Sequence, residues 1–212
     1  MLKAHDRLET ISCKKLISMN KEISSNQVEI RKLIMDALTN CKLQIGAYPM
    51  FHYDATGGGG TGNIIIGKLK PMIEINFDPE FLKIPSLCST TTRFLGLPLP
   101  PGLIIKIKPQ RLDGQISKSD LNANLEFEAN FSFSILGLIK APNLKIYTTL
   151  TTKKIISNRH RFEGRSIDKN GFATLVGVAM VNKTGVWWFD RFLGLPDEAL
   201  AVLNCKFTPV FN

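Results

Sequence analysis

Three groups of residues in this sequence could do chemistry. His52, Tyr53 and Asp54 stand in succession, and an imidazole beside a carboxylate can move protons. Such chemistry needs a partner nucleophile or metal. The chain has three histidines, no Gly-x-Ser-x-Gly and no His-x-x-x-His, so a loop histidine making a structural hydrogen bond is the simpler reading of His52. The second group is the run Gly57-Gly58-Gly59-Gly60-Thr61-Gly62. It satisfies Gly-x-Gly-x-x-Gly, but Ile64-Ile65-Ile66 follows where a dinucleotide site needs a helix N-terminus for the pyrophosphate. Gly62 to Leu69 imitates a phosphate loop, with Leu69 in place of the Ser or Thr that holds magnesium. Nucleotide chemistry is excluded, and what remains is a flexible turn or an anion nest built on the amides of Gly58 and Gly59.

The third group is basic. Lys153, Lys154, Arg159, Arg161 and Arg165 fall within thirteen residues, with His160 among them and Glu163 opposing. They form a candidate anion-binding set for an anionic membrane surface or another anionic group. Nucleic acid is disfavoured, because Phe162 is the one aromatic placed to stack a base. Cys13, Cys41, Cys88 and Cys205 lie far apart. They do not offer the close pairs of a zinc site and read as reduced thiols of a cytoplasmic protein. No metal and no cofactor is expected.

These groups must be carried by a chain of 212 residues with a net charge of +9, long enough for one domain with a sizeable core. Apolar residues make up 44% and charged residues 21%, which excludes a disordered or fibrous chain. Asp6, Arg7 and Glu9 interrupt any secretory leader, and no apolar run approaches the ~20 residues of a membrane helix. From Ile30 the positions Leu33, Ile34, Ala37, Leu38 and Cys41 follow helical spacing, with Asn26 and Glu29 as a capping box. The expectation is a helix from about Asn26 to Asn40, with a weaker one over Leu8 to Met19.

Beyond Gly46 the signals are β. Met72 to Phe77 and Leu103 to Lys108 alternate, and Leu121 to Ile135 obeys a period of two throughout. Its apolar face carries Phe127, Phe131 and Phe133, and a strand so long must curve, as barrel strands do. Further strands are expected over Leu144–Lys153, His160–Ile167 and Phe172–Val181, the last two joined by a turn at Asp168–Gly171. Gly177 suggests a bulge or a kink. Pro196-Asp197-Glu198 reads as a helix start. Trp187-Trp188-Phe189 holds all the tryptophan of the chain, and is read as packing at a barrel mouth. The hexapeptide Arg93-Phe94-Leu95-Gly96-Leu97-Pro98 recurs at Arg191 to Pro196; duplication is one explanation and chance another.

Tyr48-Pro49, Phe51, Tyr53 to Gly60, Leu97 to Pro101, Lys140-Ala141-Pro142 and Phe192 to Pro196 together resemble a family of β-rich cyanobacterial and plastid proteins to which no activity is attached. The resemblance covers about Tyr48 to Cys205. It implies a β fold and a photosynthetic cell.

The combined reading is a single domain over 1–212 of mainly β (α+β) class. Residues 1–45 form a helical N-terminal segment and 46–212 an antiparallel β-barrel or strongly curved half-barrel, with a short C-terminal helix. The expected function is non-enzymatic binding of a hydrophobic or amphiphilic ligand, lipid or pigment, through Phe127, Phe131, Phe133, Trp187 and Trp188, with a basic rim for anionic groups. An assembly protein of a photosynthetic cell and a small β-barrel enzyme using His52, Tyr53 or Asp54 are the alternatives.

Overall fold

The computed structural model describes residues 29–66 and 71–210. In chain order the elements are β1 (Glu29–Ala37), β2 (Cys41–Ile45), β3 (Phe51–Tyr53), β4 (Gly59–Ile66), β5 (Met72–Phe77), β6 (Thr92–Phe94), β7 (Leu97–Pro98) and β8 (Leu103–Ser117). They continue as β9 (Ala123–Ile135), β10 (Ile139–Lys140), β11 (Leu144–Thr151), β12 (Lys154–Ile156), β13 (Arg161–Glu163), β14 (Phe172–Val181), helix α1 (Trp187–Leu193) and β15 (Asp197–Val210). Among the described residues no helix is long and apolar enough to cross a membrane.

Eight strands close on themselves in the order β1-β4-β5-β8-β9-β11-β14-β15, the last pairing back onto β1. All the pairings are antiparallel. The ring has two ends. At one, Glu29 faces Ile66 and Ile116 faces Ala123. At the other, Leu103 faces Ile135 and Val181 faces Asp197. The strand expected over Leu121 to Ile135 forms as β9, and its alternation in burial is clear at the start, where Ala123 and Leu125 are buried and Asn124 exposed; beyond it Ala129 is buried, residues of both faces are half-buried, and Ile135 is exposed. The Met72–Phe77 strand forms as expected, and the one beginning at Leu103 runs on to Ser117.

The sheet forks beside β15. Residues of β1 pair with the C-terminal half of β15 and residues of β2 with its N-terminal half. Between them Leu38 to Asn40 bulge out, with Asn40 at φ 59°. Asn204 stitches the bulge: its side-chain amide donates to the carbonyls of Thr39 and Asn40, at 3.3 and 3.1 Å, and its backbone carbonyl accepts from Leu38 at 2.9 Å. Beyond the bulge β1 continues the ring through β4, while β2 leads off through β3, β6 and β7 as a flap.

Three expectations are corrected. Residues Glu29 to Ala37, read as a helix, form β1, because alternate residues Leu33, Met35 and Ala37 face the interior and strands β4 and β15 take both backbone edges. The rest of that helix and the one over Leu8 to Met19 lie outside the described residues. Pro196-Asp197-Glu198 opens strand β15, and the helix α1 precedes it. The glycine run is not a loop breaker either. Gly59, Gly60 and Gly62 lie within β4. A Cβ on Gly59, whose φ is +114°, would stand 1.8 Å from the Met35 carbonyl oxygen, and one on Gly62 would stand 2.9 Å from the Phe77 ring. Only glycine allows β1 and β5 to approach β4 this closely.

The turn at Asp168–Gly171 forms, closed by the Gly171 N–H donating to the Asp168 carbonyl at 2.9 Å. The strand before it is shorter than expected: β13 pairs with β12 in a separate hairpin, and Arg165 touches β14 at one bridge to Thr174. The tip of that hairpin lies against Glu198, whose oxygens accept hydrogen bonds from Ser157, Asn158 and Arg159.

Candidate functional site

Three apolar clusters fill the fold, and a cavity of about 620 Å³ lies where they meet. Its floor is the cluster of the closed end, through Leu82, Leu112, Leu150 and Leu175. One wall is Leu144, Ile146, Ala179 and, from α1, Phe189 and Leu193. The facing wall comes from the flap and its neighbours, through Cys41, Tyr53, Ala55, Leu87 and Leu99. Of the exposed residues that line the cavity, Lys83 stands beside Gly59, while Pro100, Pro101, Ile135, Trp188 and Phe192 mark its opening. That opening is at the Leu103–Ile135 end of the ring, opposite Glu29.

Local sequence explains these positions. Odd-numbered residues of β9 point inward, which brings Phe127, Phe131 and Phe133 to the cavity. They are only half-buried because they face unfilled space. Helix α1 lies across the opening because Phe189 packs edge-on against Phe133 at 5.2 Å. The buried Asp190 ties down the preceding loop, accepting from the Thr184 hydroxyl and N–H at 2.6 and 2.7 Å and from the Gly185 N–H at 3.1 Å. These bonds, led by the Thr184 hydroxyl, hold the Asp190 carboxyl below the ordinary range. Gly194 ends the helix in the left-handed conformation, as helix C-termini commonly do.

Five of the polar residues that border the cavity, Gln44, Tyr48, Tyr53, Thr148 and Asn204, are already engaged; Ser134 and the exposed Lys83 border it as well. Gln44 Nε2 donates to the Tyr48 carbonyl at 2.8 Å, Tyr48 OH to that of Phe192 at 2.6 Å, and Thr148 Oγ1 to that of Val178 at 2.9 Å. Tyr53 OH donates to the Pro85 carbonyl at 2.5 Å, and burial pushes its phenol upward. Asn204 is spent on the bulge. A molecule inside the cavity therefore meets methyl, methylene and ring surface and finds no convergent hydrogen-bonding groups.

Four of the five expected ligand-contacting residues, Phe127, Phe131, Phe133 and Trp188, come together in this cavity. Trp187 stands outside it and is 75% exposed. The five basic residues expected to bind anions share one outer hairpin and its flanks, apart from Gly58 and Gly59. Lys153, Lys154, Arg161 and Arg165 are exposed along or beside the outer hairpin, and Arg159 at its tip pairs with Asp197 at 3.0 Å. The amides of Gly58 and Gly59 donate to the Ala55 and Lys83 carbonyls, each within 2.9 Å, so neither is free for an anion. His52 is exposed on β3, and Asp54 accepts from the Thr56 N–H at 3.0 Å.

The sequence reading missed the basic residues around the opening. The stretches 44–51, 93–106, 134–140 and 183–196 build this end. They carry Arg93, Lys106, Lys140, Lys183 and Arg191, all exposed, while the acids of this end are withdrawn: Asp190 and Glu198 are buried, and Asp197, half-buried, pairs with Arg159. Scattered along the sequence, these five form no visible cluster; the strand register brings them together. No protein-family model matches the chain, and neither the curated proteins nor the solved structures contain a significant match.

Proposed function

We propose that this chain is a non-enzymatic binding protein that holds an apolar molecule, or the apolar part of an amphiphile, inside a barrel-like ring of strands. The observation that carries the reading is the cavity of about 620 Å³ bordered by engaged polar groups. The volume is in the range of small-molecule sites, ~300–1,000 Å³. Left unfilled, the apolar lining forgoes packing contacts. An occupant removes that deficit. Because the interior offers no hydrogen-bonding set, selectivity is by size and shape, and any polar head stays at the opening.

The resemblance to a plastid and cyanobacterial family adds pigments to the lipids as ligands to test. Purified protein should release a hydrophobic compound on solvent extraction, identified by mass spectrometry. The emptied protein should take up one equivalent of cis-parinaric acid with a rise in the probe's fluorescence. If extraction yields nothing and the probe stays in water, the reading is wrong.

A further inference from the structure

We propose that the open end of the ring docks on an anionic lipid bilayer, with the cavity opening turned toward the hydrocarbon. Single exposed apolar residues are ordinary on protein surfaces, but contiguous ones mark contact sites. Here Leu95, Leu97, Leu136, Leu138 and Trp187 are between 69 and 84% exposed, and all stand around the opening. Their neighbourhood is fixed by structure. The Leu136 N–H donates to the Gly102 carbonyl at 2.8 Å, and the flap tip meets α1 through Tyr48, whose ring touches Phe94 and Phe192.

Charge chooses the partner. Five exposed cations, Arg93, Lys106, Lys140, Lys183 and Arg191, belong to the same end as these apolar tips, and its acids are engaged: Asp190 and Glu198 are buried and hydrogen-bonded, and Asp197 pairs with Arg159. Apolar and tryptophan tips accompanied by cations, with no exposed acid, match a layer of anionic headgroups over hydrocarbon. Arg191 lies 6.0 Å from the Trp187 ring centroid, so cation and ring present themselves together. The closed end carries cations as well, Lys118, Lys153, Arg165 and Lys169, but there they stand with the exposed Asp120 and with Asp168. The chain enters the ring at Glu29, at that closed end, which places the preceding residues' point of attachment away from the opening. Exchange of the cavity's occupant with the bilayer rests on the apolar-ligand reading; the docking itself does not.

Both tryptophans of the chain lie on α1, so their emission reports the contact. The full chain is mixed with vesicles of phosphatidylcholine alone or with phosphatidylglycerol as about a third of the lipid. With the anionic vesicles the emission should shift to the blue and the protein should co-float; with phosphatidylcholine alone both effects should be weak. Leu95→Ser, Leu138→Ser and Trp187→Ser combined should weaken partitioning by about tenfold or more. Arg93→Gln, Lys140→Gln and Arg191→Gln combined should weaken it on the order of 100-fold for anionic vesicles only. All six side chains are exposed, and a cooperative urea transition with the wild-type midpoint confirms that each variant is folded. The proposal is overturned if the wild type ignores anionic vesicles, if its emission stays unchanged on binding, or if both variants bind as the wild type does. Probe uptake without vesicle binding removes the docking and leaves the ligand reading intact. Vesicle binding without probe uptake does the reverse.

Discussion

Phe94 and Phe192 occupy the same position in two identical hexapeptides, and both rings lie against Tyr48, at centroid distances of 6.3 and 5.9 Å. The two copies fold differently. The first is a hairpin, β6 to β7, turning on Leu95 and Gly96 with positive φ; the second is the end of α1 and its exit. One sequence thus supplies an apolar plug to each side of the cavity opening, and Tyr48 joins flap to helix.

Tyr48→Phe should therefore cost about 1 kcal/mol, the hydrogen bond from its hydroxyl to the Phe192 carbonyl. Tyr48→Ala should cost about 2–3 kcal/mol, since two ring contacts go as well. Urea unfolding measures both. The alanine variant should also release a bound apolar probe faster than the phenylalanine variant. Equal release rates would mean that the flap and the helix are not coupled through this ring.

Filling the cavity separates binding from folding. Ala201 lines it from β15, and Ala201→Phe places a ring in space that is otherwise open. Probe affinity should fall by at least about tenfold, while the melting temperature of the ligand-free protein stays level or rises, because the added ring recovers lost contacts. Differential scanning calorimetry and probe titration on the same preparation check the pair of outcomes. A variant that melts lower and still binds contradicts the assigned cavity.

Strand β9 could be read from sequence because one of its faces is wet, so apolar and polar residues alternate without exception. Strands β1 and β15 could not. Around β1, Leu33, Ile34, Ala37 and Leu38 satisfy a helical period while Leu33, Met35 and Ala37 satisfy a strand period, and the choice is made by β4 and β15 lying on either side. In β15 both faces are covered: Ala199, Ala201 and Leu203 border the cavity, and the outward Leu200 is nevertheless buried. A strand covered on both faces loses its alternation and imitates a helix. The aromatic half of the site was legible because it sits on β9 and beside Gly185; the cations of the opening were not, because register and not proximity in sequence assembles them.

The cysteines provide a chemical contrast. The Thr90 and Thr91 hydroxyls, 3.1 and 3.6 Å from Cys88 Sγ, favour the thiolate and bring this thiol down to about 7. Burial pushes Cys205 up to about 12 and raises Cys41 as well. In native protein at mild alkaline pH, iodoacetamide should label Cys88 and spare Cys41 and Cys205, as peptide mass mapping would read. The Cys88 rate should reach half its maximum near pH 7, and Thr90→Val should move that midpoint upward. Labelling of Cys205 at the same rate as Cys88 would contradict the burial.

Glu198 should contribute to the acid sensitivity of the fold. It is 5% exposed on the outer side of β15, where its carboxylate accepts from Ser157 Oγ at 2.7 Å and from the N–H groups of Asn158 and Arg159 at 3.2 Å each. These donors, Ser157 first, hold it below its ordinary value of 4.5. The folded chain thus binds this proton less tightly than the unfolded chain. The resulting stability is complete above the unfolded value and drains away as pH falls through the lower folded value. Glu198→Gln should destabilise the protein at neutral pH, because the amide brings hydrogens against existing donors, and should flatten the decline in stability between about pH 6 and 3. Urea midpoints across that range test it. A decline as steep as the wild type's would place the acid sensitivity on another carboxylate and leave the hairpin tip held by its other contacts, the Arg159–Asp197 pair first.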